Sequence, residues 1–472
     1  MNIALISKKE WAFGAATSTH RMVHGMKNAG INVTMFVKER HTRSDGVITL
    51  SPGERSLATS ERLEQMGRGL VSSKRLGPHA TAFSFPYPGL DLTSIPAIRN
   101  MDVINIRHVP GIVSTETIAG MYRERIPMVI TLHDQWMMTG GCHYSGSCSG
   151  YERDCLDCPQ LQSESRDIPA WILKNKLKSW GPRLTVVAPS KWIRDCAVSS
   201  RVFRESRVEW IPNGLNTEQF SFHARNAAKR KFGFPLRSRM ILFGAPNINV
   251  RRKGFSEFVQ SIRYCMKKPQ FAKDLRKGKI ILAVFGKSGK TPKIEDIPVH
   301  WFGKVSRESE MADIYRSADI FVLPSLEDNL PNTMLESLAC GTPVVAFSTG
   351  GIPDAVRDGE TGFLAPCGES EALAMHILDL IQNPGLTRRM GREGAALMQR
   401  EFNLRLQVDR YFSLFSQVAA ENRNRRKIGE VGLIPPGSKE ITADTAPIDP
   451  VLFAGLADRF QQYGIRTPCD PI

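Results

Sequence analysis

Apolar positions in this chain gather in short continuous runs, and each run is followed by a loop rich in glycine, proline or charge. Short apolar runs of this kind read as strands of a buried parallel sheet. They predict strands at 2–7, 31–37, 102–106, 128–132, 184–188, 240–244, 281–286, 299–303, 320–323 and 343–347. Helical spacing predicts helices at 18–28, 191–197, 311–317, 333–340 and 404–418. In the fourth of these, Met334, Leu335, Leu338 and Ala339 share one side, and Gly341 ends the helix. The first strand, a loop bearing Gly14, the helix ending at Gly30 and the next strand make a βαβ unit. A second doubly wound sheet begins at Met240. The expected fold class is therefore α/β, with two doubly wound domains facing a central cleft.

The stretch 319–351, DIFVLPSLEDNLPNTMLESLACGTPVVAFSTGG, organises the rest. The loop after Leu323 and the start of the next helix lie outside the carboxyl end of a parallel strand, where open α/β sheets bind ligands. Backbone N–H groups at that helix start, around Asn332 and Thr333, favour a phosphate. Gly350 and Gly351 let backbone approach a ligand closely. Asp328, preceded by Glu327, sits in the loop and Glu336 in the helix. Carboxylates beside a phosphate would repel it, so these acids suit sugar or ribose hydroxyls; the competing reading is ordinary surface acids. Upstream, APNINVRRKGF sets Arg251, Arg252 and Lys253 before a helix, either as phosphate-binding cations or as a basic surface run. His108 and His133 both leave strand ends, toward the same rim of the first sheet.

Composition narrows the classes. A chain of 472 residues with 42% apolar content is long enough for two domains with sizeable cores. No 18-residue apolar run is present, and Met1 leads straight into a strand without a signal-peptide pattern, so a cytoplasmic protein is expected. The formal net charge of +16 suits nucleic acid, an anionic membrane face or a phosphate-rich substrate. No nucleic-acid-binding signature accompanies it, which argues against the first. The segment 171–180, with Lys174, Lys176 and Lys178 among apolar residues, is either a membrane-surface contact or a solvated helix. No D-x-D motif occurs, so no catalytic metal is expected.

Cys142, Cys148, Cys155 and Cys158 fall in one loop at spacing C-x5-C-x6-C-x2-C. Four thiolates can surround zinc tetrahedrally, and a closing C-x2-C is a common ligand pair. Cytoplasmic location disfavours disulfides. A structural zinc pinning a long loop and a set of free or transiently oxidised thiols are both open, and His143 is a substitute ligand.

PSLEDNLPNTMLESLACGTPVV followed by GGIPD resembles the nucleotide-sugar signature of the retaining family 4 glycosyltransferases, whose fold is GT-B: two Rossmann-like domains. Pro324, Ser325, Glu336, Cys340, Gly341, Pro343, Gly350 and Gly351 fall in register, with Asp328 where the family carries its first glutamate. The resemblance implies that Lys253, followed by Gly254, and Arg252 hold the donor pyrophosphate, since Ile248 replaces the usual arginine. It implies that Gly14 lies near the donor phosphates and acceptor, that the His133 of LHDQW faces the donor sugar, and that Glu336 and Asp328 or Glu327 bind the donor's hydroxyls. TGGCHY followed by C-x-x-C-P is similar to an insertion in bacterial exopolysaccharide and lipopolysaccharide enzymes.

The expected partners are a nucleoside diphosphate sugar and a saccharide or lipid-linked acceptor, with peripheral contact to an anionic membrane left open. Transfer to a small metabolite, or noncatalytic binding of a sugar nucleotide, are the rival readings. The expected domains are 1–215 (acceptor side), 216–400 (nucleotide-sugar side), a crossover helix at 401–420 and a flexible tail at 421–472 that carries one short helix within 451–460.

Overall fold

The apolar runs become two parallel sheets. The structure is a computed structural model and describes residues 1–11, 14–42, 44–50, 81–86, 89–107, 109–162, 166–180, 184–222, 225–288, 294 and 297–428, with side chains up to residue 423. His108 and the short helix expected within 451–460 lie outside the described residues. The chain divides into two compact units. One comprises Met1–Pro189, Ile193–Ile211 and the chain from Arg410 on, and the other comprises Ser190–Trp192 and Pro212–Asp409.

The first unit holds β1 (Ile3–Lys9), β2 (Val33–Glu39), β3 (Val47–Thr49), β4 (Val103–Ile106), β5 (Met128–Thr131), β6 (Thr185–Ala188) and β7 (Arg207–Trp210). Their order is β3-β2-β1-β4-β5-β6-β7, all pairs parallel. The principal helices here are α1 (Ala15–Asn28), α2 (Thr115–Arg123), α3 (Ile168–Ser179) and α4 (Lys191–Ser199), the last beginning in the second unit's short segment.

The second unit holds β8 (Arg239–Asn247), β9 (Ile280–Lys287), β10 (Val299–Gly303), β11 (Ile320–Leu323), β12 (Val344–Phe347) and β13 (Gly362–Ala365), in the parallel order β10-β9-β8-β11-β12-β13. Side chains alternate across a strand, and the two faces build separate cores. Met240, Leu242, Phe321, Leu323, Val344 and Ala346 pack with Met311 and Ile314 of α5 (Glu308–Ser317) and Met334, Leu335 and Leu338 of α6 (Asn332–Ala339). Ile241, Phe243, Ile320, Val322, Val345 and Phe347 pack on the other side with Phe258, Ile262, Leu373 and Ile377. Helices on both faces explain why the strand runs lack alternation.

Two expectations need correction. The terminal helix, α7 (Leu404–Ile428), continues eight residues into the stretch read as flexible tail. The segment 171–180 is not a uniformly basic face: Lys174 and Lys178 are exposed on α3, but Lys176 is fully buried.

Candidate functional site

In the second unit the chain leaves β8 and β11 in opposite directions, so these adjacent strands form the switch point where a ligand crevice opens at the carboxyl ends. The loops at those ends are built against each other. After β8, Arg251–Lys253 makes one 3-10 turn and Gly254 follows at φ +73°. A Cβ on Gly254 would stand 1.7 Å from the Pro324 carbonyl oxygen, so only glycine permits the contact. The Leu326 amide then donates to the Arg252 carbonyl at 2.8 Å.

That contact brings two cations to one acid. The Lys253 ammonium donates to Asp328 Oδ2, Arg252 Nη1 lies 3.4 Å from Asp328 Oδ1, and Arg252 Nη1 also donates to the Glu327 carbonyl at 3.1 Å. Arg251 points elsewhere and grips Glu257 with two bonds of 2.6 and 2.8 Å. Ile248 is a core residue. The acid at position 328 therefore faces the two cations.

The electrostatics follow. Burial works against charge on Asp328, but Lys253 and Arg252, with hydrogen bonds from Lys253 and Ser325, outweigh it and hold the carboxyl below its ordinary value. Burial and then Arg252 push Lys253 below the usual lysine range, and Asp328 only partly opposes them. Two cations thus share one carboxylate, which leaves this trio one positive charge in excess. A second such trio, Arg225, Lys229 and Asp319, lies at the amino end of β11. There the Met240 amide also bonds Asp319, at 2.9 Å, and the trio sits at the end of the sheet opposite the crevice, so it is structural.

Asn332 and Thr333 form the half-buried first turn of α6, after Pro331. One turn on, Glu336 is buried, and the Tyr315 hydroxyl donates to its Oε2 at 3.2 Å. Gly350 has φ +55°, and a Cβ there would stand 1.8 Å from the Asp328 carbonyl oxygen. The Gly351 amide donates to that oxygen at 3.0 Å. These two glycines hold the Asp328 loop in place through backbone contact. Asn329 is buried and accepts from Ser190 at 2.6 Å. Lys253, Arg252, Asp328, Glu327, Gly350 and Gly351 thus form one contiguous cluster.

In the first unit Gly14, at φ +72°, precedes α1, and no atom lies within 4 Å of where its Cβ would be. His133 is half-buried just beyond β5. A feature the sequence did not reveal is Arg107, buried at the carboxyl end of β4. It bonds Thr19 at 2.9 Å, Asn105 at 3.1 Å, Ser18 at 3.3 Å and Tyr411 of α7 at 3.3 Å. An arginine directly after an apolar run was the available signal. Its partners are scattered in sequence, so the network was not legible.

The four loop cysteines line one small cavity with Gly140, Tyr151 and Pro169. Burial raises the thiols of Cys142 and Cys158, and pushes Cys155 up to about 11. Among the described residues no three His, Cys, Asp or Glu side chains stand together as a metal-coordinating set. His143 is not a spare ligand: its Nδ1 is 2.7 Å from Asp134 and its Nε2 is 2.8 Å from Ser84.

Two family models divide the chain as the units do. That described as Glycosyltransferase Family 4 matches residues 13–219, and that described as Glycosyl transferases group 1 matches residues 238–383. Fold and sequence together define the class: a two-domain GT-B fold whose two halves are each similar to a glycosyltransferase family model. A D-inositol 3-phosphate glycosyltransferase of Streptomyces bingchenggensis is 43% identical over 89 residues, 19% of this chain and 19% of its own length. The chain thus spans about a fifth of that curated relative. Among solved structures, a sucrose-phosphate synthase from Thermosynechococcus elongatus superposes with TM-score 0.63 at 19% identity, over 89% of this chain and 100% of that one. Anabaena HepE in complex with UDP-glucose gives TM-score 0.58 at 14% identity, over 88% and 100% of the two chains.

Proposed function

We propose that the protein transfers a sugar from a nucleoside diphosphate sugar to a hydroxyl acceptor, without a divalent metal and with retention at the anomeric carbon. The observation that carries this reading is the meeting of Arg252 and Lys253 at the switch point between β8 and β11. Their excess positive charge suits a diphosphate, and cations fixed beside the leaving group stabilise the charge that develops as the glycosidic bond breaks. The amides of the first turn of α6 add donors for phosphate oxygens. Glu336 takes ribose or sugar hydroxyls, with Tyr315 holding its carboxylate. Asp328, or Glu327 beside it, orients the donor sugar, and His133 contacts its hydroxyls. With no carboxylate nucleophile assigned, the acceptor attacks from the leaving-group face and its proton passes to the donor phosphate.

The donor reading is supported by the structural neighbour solved in complex with UDP-glucose. For the acceptor, a glycan or lipid-linked saccharide of bacterial surface polysaccharide assembly rests on the likeness of the TGGCHY loop. A small metabolite is supported as well by the name of the inositol-phosphate relative. No described helix is long and apolar enough to cross a membrane. A lipid-linked acceptor would therefore be met by peripheral contact at an anionic face, on the cytoplasmic side. Incubation with UDP- and GDP-sugars in excess chelator, with and without D-inositol 3-phosphate and lipid-linked saccharides, tests the reading. Sugar transfer to one acceptor class supports it. Neither transfer nor donor hydrolysis with any common donor would leave a noncatalytic binder.

A further inference from the structure

His133 stands on the loop that leaves β5, and the residues that follow it are tied to the TGGCHY segment. A carboxylate only accepts hydrogen bonds. His143 therefore donates from Nδ1 to Asp134 Oδ2 at 2.7 Å, and Asp134 Oδ1 accepts the Trp136 amide at 3.0 Å. The backbone repeats the tie: the Gln135 amide donates to the His143 carbonyl at 2.9 Å, and Gln135 Oε1 accepts the Ser145 amide at 2.7 Å. His143 thus holds the two residues directly after His133, one through its ring and one through its backbone.

His143 is itself fixed. It is buried, and its Nε2 lies 2.8 Å from the Ser84 hydroxyl. The Trp136 indole N–H donates to the Ser84 carbonyl at 2.7 Å, and that ring stacks on His143 with centroids 6.5 Å apart. From α3, the fully buried Lys176 donates to the carbonyls of Trp136 and Thr139 at 2.5 and 2.8 Å. The loop is therefore held at residues 134, 135, 136 and 139. Burying an Asp–His pair adds little net stability, because both groups give up water. What such a pair supplies is one fixed geometry, and the residue next to its carboxylate is His133.

We propose that His143 is a positioning residue for sugar transfer: through Asp134 it fixes the loop at the carboxyl end of β5, and with it His133, without touching donor or acceptor itself. The inference rests on the proposed contact of His133 with the donor sugar. A misplacement of about 1 Å at a reacting centre costs up to roughly a hundredfold in rate. A support one residue from His133 therefore acts on turnover, whereas donor affinity lies with Lys253 and Arg252.

The test contrasts two replacements in the full chain. His143→Asn keeps an amide donor near the Nδ1 position, whereas His143→Gln reaches toward Ser84 and loses the bond to Asp134. Steady-state kinetics should show kcat lowered about tenfold or more in His143→Gln, with donor KM within about twofold of the natural chain, and kcat recovered to within about threefold in His143→Asn. No loss in His143→Gln, equal loss in both variants, or a change in donor KM alone overturns the positioning role. The ring signals of His133 in the NMR spectrum, assigned with His133→Ala, are the second readout: they should shift in His143→Gln and stay in place in His143→Asn. Signals unmoved in both variants overturn the inference. Unchanged transfer by His133→Ala would instead contradict the reading of His133 on which it rests. If His143→Gln does not fold, Asp134→Asn, which keeps the shape and weakens the same bond, is read in its place.

Discussion

The carboxylate of Asp328 is bonded to the ammonium of Lys253, and this pair joins the loop after β11 to the loop after β8. Arg252, 3.4 Å from the same carboxylate, makes the pair a trio. Asp328→Asn leaves the half-buried cations Arg252 and Lys253 side by side without their shared carboxylate. Breaking a buried ion pair from one side costs about 3–5 kcal/mol, so thermal unfolding of the second unit should move down by several degrees. UDP brings the missing negative charge. Its stabilising shift in Tm should therefore be larger in Asp328→Asn than in the natural protein. An equal or smaller shift would place the diphosphate away from Lys253 and Arg252.

Glu336 and Tyr315 make the second test. Glu336→Gln keeps the shape but removes the charge, and loss of a charged hydrogen bond is worth about 1.5–3 kcal/mol. Transfer kcat/KM should fall roughly tenfold to over a hundredfold. Tyr315→Phe removes only the 3.2 Å bond that holds the carboxylate and should have a smaller effect in the same direction. Steady-state kinetics at saturating acceptor checks both. A value for Glu336→Gln within twofold of the natural enzyme would remove this helix from donor recognition.

Two glycines with the same backbone conformation should behave differently. Gly254 and Gly14 have φ of +73° and +72°, but a Cβ meets the Pro324 oxygen at 1.7 Å in one case and nothing within 4 Å in the other. Gly14→Ala carries only the backbone cost, about 1 kcal/mol. Gly254→Ala must also push the two site loops apart. It should abolish measurable UDP binding in a chain that still folds, while Gly14→Ala retains stability to within about 1–2 kcal/mol. Chemical denaturation and calorimetry on the two variants would show the contrast.

The strands were legible because both faces of each sheet are covered, so burial is written as continuous apolar runs; β11 matches its expected span of 320–323. The crevice was legible too, because a parallel strand followed by a loop and a helix start fixes where its carboxyl end points. What the sequence could not show is pairing across distance. Asp328 and Lys253 are 75 residues apart, and only the fold reveals that the carboxylate is bonded to the lysine. Lys176 misled for a related reason. Its neighbours Lys174 and Lys178 made a basic run, and nothing local marks the middle lysine as the one that turns inward. Helix α7 outran its expected end because polar ENRNRRK carries helix propensity without the apolar period used to find helices.

Donor recognition as proposed stands or falls on Lys253, with Arg252, holding the diphosphate of a sugar nucleotide at the β8–β11 switch point. Isothermal titration of UDP-glucose, UDP and the other common sugar nucleotides in excess chelator, on the natural chain and on Lys253→Met, tests this directly. The natural chain should bind one donor class without divalent metal. Lys253→Met should bind it at least about tenfold more weakly, from loss of a charge-assisted phosphate contact. Equal affinity of the two proteins, or binding only when a divalent ion is restored, would contradict it.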